Sequence, residues 1–195
     1  QCILTFGISP IITAKVPPLI EKETGIVMEI ESAGMSIFGA KAGVGRLQIR
    51  NPAGFAEPNI FFAKSIGVNA GVLWAFAGIT RIQSFRVKNA RLSIIRNKAG
   101  ELNVELLQQA LAKRAPPPKP APTNGPLPRL SIGSAKINGV LEYIDHQAGE
   151  KPWKVSYEFT AKAGGIKTYG NPKDRPGTFE VKGNIKGDTN AAVTI

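Results

Sequence analysis

The clearest pattern in the chain is strict alternation near its C-terminal end. In PWKVSYEFT, Trp153, Val155, Tyr157 and Phe159 fall on one side, and Lys154, Ser156, Glu158 and Thr160 on the other. In TFEVKGNIKGD, Phe179, Val181 and Ile185 oppose Glu180, Lys182, Asn184 and Lys186. A period of two predicts strands in a sheet with one dry and one wet face. Earlier segments carry the same period. IVMEIES sets Met28 and Ile30 against Glu29 and Glu31, GRLQIR sets Leu47 and Ile49 against Arg46, Gln48 and Arg50, and KSIGVNAGV puts Ile66, Val68 and Ala70 on one side. NPAGFAEPN, between two of these, reads as a turn-rich loop.

Two segments break into helical spacing. VPPLIEKETG predicts a short helix, with Pro17 and Pro18 in the first turn, where a missing N–H costs little, and Gly25 as the end cap. ELNVELLQQALAKR predicts the better helix. Asn103 suits its N-cap, Leu107 and Leu111 share a face with Ala110 beside them, and Lys113 and Arg114 suit its C-terminal end. APPPKPAPTNGPLP follows, with seven prolines between Pro116 and Pro128, and predicts a stiff, extended linker. The chain then divides into an apolar start with a short helix (1–24), a first β unit with a helix (25–114), the linker (115–128), and a second β unit (129–195) that is expected to continue past the chain end.

The two β units resemble each other. SFRVKNARLSIIRNKAG, from Ser84, sets beside IGSAKINGVLEYIDHQAG, from Ile132, with Asn89 matching Asn138, Leu92 matching Leu141 and Ile95 matching Ile144. The offset is 49, with one extra residue placed just before Asn138. Each copy reads as strand, Asn-Ala or Asn-Gly turn, strand, so repeated hairpins are expected.

The formal net charge is +11, and its excess is strongest in residues 51–114, which hold nine basic and three acidic groups. Nucleic acid would suit such a charge, but there is no RNP-like aromatic motif and no Arg-packed helix. A solvated basic surface, or contact with anionic head groups or an acidic partner, fits better. Arg81, Arg86, Lys88, Arg91 and Arg96 are the candidates for that contact. The first fourteen residues are uncharged, too few to span a bilayer alone. They read either as the end of an N-terminal anchor or as a buried strand or helix.

Catalytic chemistry is not legible. His146 is the one histidine and Cys2 the one cysteine, which allows neither a common zinc site nor an intrachain disulfide. Asp145 and His146 are chain neighbours on different sides of the strand, a polar pair at a turn. AKAGGIKTYGNPKDRPG lacks P-loop spacing and reads as a long hairpin loop; Lys167, Lys173 and Arg175 fit a solvated loop better than a contact with phosphate. A non-enzyme with no cofactor and no metal is expected.

Taken in order, the segments PPLIEKETG, RLQIRNPAGF, IQSFRVKNARLSIIRNKAGELNVELL and LSIGSAKINGVLEYIDHQAG resemble the AsmA-like family of bacterial envelope proteins. The likeness covers roughly residues 15–150. It departs from the family pattern at Ala90, where proline is frequent, and at Ala99-Gly100, which stands for Asp-Gly. The resemblance implies a mainly β fold: a curved antiparallel sheet of strand-turn-strand units with one or two short helices and the remnant of an N-terminal membrane anchor. It implies an inner-membrane protein with its body in the periplasm, similar to bridge-like lipid-transfer proteins that act in lipid transport or outer-membrane assembly. Membrane lipids, and a membrane protein complex, are the implied partners. The alternative is a non-catalytic accessory subunit of such a complex. Under the first reading, Trp153, Val155, Tyr157, Phe159, Phe179, Val181 and Ile185 line an apolar groove; otherwise they are core packed against the helix at 104–111.

Overall fold

The computed structural model describes residues 2–36, 40–70, 79–114, 129–170, 177–187 and 191–194. The proline-rich segment 115–128 and the loop residues Pro172, Lys173, Arg175 and Pro176 lie outside them. The architecture is mainly β. One sheet holds eight strands in sequence order: β1 Met28–Ser36, β2 Lys41–Arg50, β3 Asn59–Ala70, β4 Ile79–Arg96, β5 Arg129–Asp145, β6 Trp153–Lys167, β7 Thr178–Lys186 and β8 Ala191–Thr194. Helix α1 spans Cys2–Thr24 and helix α2 spans Asn103–Arg114.

The expected antiparallel sheet is mixed. Every neighbouring pair is antiparallel except β4 and β5, which run parallel. Two parallel strands cannot be joined by a tight turn. Here α2 and residues 115–128 supply the long connection. The strands before and after the proline-rich segment thus belong to one continuous sheet.

The expected Asn-Ala and Asn-Gly turns are not turns. Asn89-Ala90 lies inside the 18-residue β4, and Asn138-Gly139 inside the 17-residue β5. The two sites lie side by side. Val87 pairs with Ile137 and Ala90 with Gly139, so Lys88 and Asn89 face Asn138 alone. This is a bulge, with Asn89 at φ 48. The residue types that favour a two-residue hairpin also tolerate the left-handed conformation that a bulge needs. The offset of 49 recurs as the pairing register from Ala90↔Gly139 to Arg96↔Asp145. Before the bulge the register is 50, as in Ser84↔Ser134, so the extra residue belongs to β4, not to the segment before Asn138.

Ladder partners form rows across the sheet. Met28, Ile49, Phe61, Leu92, Leu141, Tyr157 and Ile185 make one row from β1 to β7. Ile30, Leu47, Ala63, Ala90, Gly139, Phe159 and Gly183 make the next. A third runs Ala33, Val44, Ile66, Val87, Ile137, Ala161, Val181, and a fourth Met35, Ala42, Val68, Phe85, Ala135, Ala163, Phe179. Successive rows are two residues apart in β5, β6 and β7, so all four share one face there. Ladder partners share a face, so the rows stay together across β1 to β4. There the middle step is three residues, as from Ala90 to Val87 or from Leu47 to Val44, and Arg46 and Asn89 sit inside it at φ 46 and 48. The irregularity turns the chain by one residue and keeps the dry face continuous.

Helix α1 packs along β1 and touches α2, which meets β4. It was expected to start near Pro17, yet it continues back to Cys2 through Pro10, Pro17 and Pro18. Proline disfavours a helix interior by about 3 kcal/mol but does not forbid it, and the run before Lys15 is free of glycine except at Gly7. The predicted cap is present. Gly25, at φ 72, donates its N–H to the Glu21 carbonyl at 2.7 Å. Asn103 is not the N-cap it was expected to be. Its Oδ1 accepts from the Ile95 N–H (2.9 Å), and its Nδ2 donates to Ser93 O and to Asn51 Oδ1 (both 2.8 Å). The side chain thus satisfies the backbone of β4 beyond the start of β3. Ile60, Ile95 and Ile144 are buried in the same part of the sheet.

Candidate functional site

The two faces of the sheet differ in chemistry. The four rows of the dry face hold apolar residues and glycine, with Tyr157 the one polar tip. Most of these side chains are half-buried, but Phe179 is 71% exposed, Trp153 40% and Leu92 37%. Among the described residues, the buried apolar set on this face is Ala33, Ala63 and Val87, small side chains between larger neighbours. Among the described residues, the helices meet the sheet at β1 and β4, so helix packing is concentrated on those two strands.

All seven groove candidates lie where the alternation put them. Tyr157 pairs with Ile185, Phe159 with Gly183, Ala161 with Val181 and Ala163 with Phe179, while Trp153 and Val155 continue the same side of β6. None of the seven is buried, so they are not core under α2. The aromatic rings organise the surface. Tyr157 stacks on Phe159 with centroids 5.9 Å apart, and Tyr143 meets Trp153 edge-on at 5.9 Å. A Cβ at Gly183 would sit 2.6 Å from the Tyr157 ring, so the ring lies flat because glycine leaves room. The face ends at a polar rim, where Arg96 pairs with Asp145 at 3.3 Å.

The five basic candidates do not form one patch. Arg86 and Lys88 are exposed and Arg81 is half-buried. Arg91 lies on the wet face, 3.7 Å from Glu142, and Arg96 sits at the rim of the dry face. Alternation along a single strand predicts this division, but the bulge at Lys88 and Asn89 changes the count.

The wet face carries a trough of about 1320 Å³, reaching from the loop at 57–59 across β4 to β7. At one end Glu142, a buried carboxylate, receives Lys154 Nζ at 3.0 Å, Ser93 Oγ at 3.2 Å and Arg91 at 3.7 Å. At the other end Glu180 takes Lys182 at 2.7 Å and Lys162 at 3.5 Å. The hydrogen bond and charge of Lys182 hold the Glu180 carboxyl below its usual range. A depressed carboxylate adds stability above its unfolded-state pKa and loses it as pH falls, but this pair is solvent-exposed and adds little. His146 is not a partner of Asp145. Its Nε2 lies 3.2 Å from Glu57 Oε1 and ties the loop to the end of β5. That contact spans 89 residues, and no local pattern announces it.

Among the described residues, no group of three His, Cys, Asp or Glu side chains is placed to hold a metal ion, and no helix is long and apolar enough to cross a membrane. Set against protein-family models and curated proteins, the chain matches none of them.

Proposed function

We propose that this protein is an AsmA-like, membrane-associated envelope protein that handles lipid on the dry face of its sheet. The observation that carries this reading is the set of four apolar rows, which cross seven strands without a charged residue. With strands about 4.8 Å apart, the face measures roughly 30 by 20 Å. That is at or above the largest apolar patch of an ordinary monomer, a few hundred Å². An acyl chain laid on it gains about 0.8 kcal/mol per buried CH₂ and needs no polar group to hold it. The pairing of β4 with β5 at an offset of 49 to 50 supports a repeated unit, which extends a sheet by adding copies. The uncharged first half of α1 then meets the membrane, and the sheet stands in the periplasm.

The test is mass spectrometry of lipids extracted from the protein purified in mild detergent. Wild type is expected to carry stoichiometric phospholipid. Phe179→Asp and Val155→Asp are expected to carry only background, with melting temperatures close to wild type, because both positions are exposed or half-buried. Wild-type protein without enriched lipid would defeat the reading and favour an accessory subunit that docks this face on a protein partner.

A further inference from the structure

On the wet face, three cations stand in line across three strands. Arg86 is the ladder partner of Lys136, and Lys136 is the ladder partner of Lys162. Directly opposed side chains in a sheet have Cβ atoms about 5 Å apart, and like charges at that spacing are destabilising. One carboxylate, Glu180, closes the row as the partner of Lys162, and Lys182 also bonds to it. Among the described residues, Arg86 and Lys136 have no ion-pair partner. The fold itself gains nothing from the central cation, because exchange of Lys136 for glutamine would remove both like-charge contacts.

The surroundings indicate what the row meets. Lys136, Lys162, Glu180 and Lys182 line one end of the trough. The next ladder row into the trough is Asn138, Thr160 and Lys182, followed by Glu158 and Asn184. Asn138 Nδ2 donates to Asn89 Oδ1 at 3.1 Å, which, among the described residues, leaves the remaining amide groups and the Thr160 hydroxyl available to a ligand. Cations beside amides and hydroxyls match a ligand that bears an anionic group and several hydroxyls. The concave shape disfavours the plane of a bilayer and admits a small molecule or the head of a larger one.

We propose that this end of the trough binds a sugar phosphate. The phosphate sits on Lys136 and Lys162, with Arg86 beside the trough as the ladder partner of Lys136, and its charge relieves their repulsion; the sugar hydroxyls meet Asn138, Thr160 and Asn184. This site is separate from the lipid reading, which uses the opposite face.

The experiment is calorimetric titration of the full chain with fructose bisphosphate, fructose, inorganic phosphate and phosphatidylglycerol vesicles, all at one ionic strength. Fructose bisphosphate is expected to bind at least about tenfold more tightly than fructose or phosphate. Lys136→Gln is expected to weaken that binding at least about tenfold while the unliganded melting temperature stays level or rises, because a like-charge contact is gone. Lys162→Gln should weaken it too, which guards against an idiosyncratic effect of one variant. Lys186→Gln removes the same charge from a residue paired with Glu158, off the row, and should leave binding unchanged. No binding of the bisphosphate to wild type would overturn the proposal. So would equal losses in Lys136→Gln and Lys186→Gln, which would mark a diffuse charge effect, or vesicle binding alone, which would mark a membrane-facing surface.

Discussion

Asn103→Leu is expected to lower the unfolding free energy by about 3–5 kcal/mol, the sum of two or more buried backbone groups left without partners at about 1–3 kcal/mol each. Leucine matches asparagine in reach but offers neither donor nor acceptor. The Ile95 N–H and the Ser93 carbonyl then lose their partner, and Asn51 loses its link to α2. Ile95 is fully buried, as is Asn103, so water does not replace the amide without opening the fold. Against a total of about 5–15 kcal/mol for a domain, this is a large fraction. Thermal unfolding should show a melting temperature lower by on the order of 10 °C. Leu111→Ala, at a 41% exposed position of the same helix, should shift it far less. If the two variants melt alike, Asn103 does not hold α2 to the sheet, and the attachment lies elsewhere.

Asn103 also marks the boundary of what the sequence makes legible. The helix around it is readable from Leu107, Ala110 and Leu111, and asparagine before an apolar run is an ordinary N-cap signal. That its amide instead completes the edge of a strand eight residues earlier depends on where β3 begins, which is a tertiary fact. The same division runs through the sheet. The faces of β6 and β7 are legible because alternation there is unbroken, from Trp153 to Phe159 and from Phe179 to Ile185. The faces of β2 and β4 are not, because Arg46 and Asn89 shift the period in mid-strand with no apolar residue out of place. NIFFA, the first part of β3, has no alternation to read, since Ile60 and Phe61 serve opposite faces. The likeness between the segments around Asn89 and Asn138 is visible in sequence, but whether two similar segments form hairpins or pair side by side is decided by the connection between them. The contacts of Glu142 with Arg91, and of His146 with Glu57, join residues 51 and 89 positions apart and carry no local signature. Likewise, a row of like charges exists only after the strands have paired.

Gly139→Ala is expected to destabilise the protein by about 3 kcal/mol, the upper part of the range for overpacking. Its Cβ would press on the Ala90 carbonyl oxygen, and would lie 2.9 Å from the Ala90 carbonyl carbon and from its Cβ. These are mostly backbone atoms of the neighbouring strand, which cannot swing away as a side-chain end would. The close approach comes from the bulge, where β4 spends Lys88 and Asn89 against the single residue Asn138. Gly67→Ala is the matched comparison. It lies in β3, its added Cβ meets nothing within 4 Å, and its effect should stay within about 0.5–1 kcal/mol in either direction. The consequence of Gly139→Ala reaches the dry face. Phe159 lies beside Gly139, and the row through Ala90, Gly139 and Phe159 joins the strands before α2 to those after it. A widened β4–β5 junction would therefore part the apolar surface in two, and under the proposed lipid-handling role the lipid recovered with the protein should fall together with stability. A variant as stable as wild type would mean that β4 and β5 do not approach this closely, and the continuity of the four rows would fail with it. A variant that is destabilised yet retains its lipid would separate the two properties, leaving the strands from β5 onward as the surface that carries the ligand.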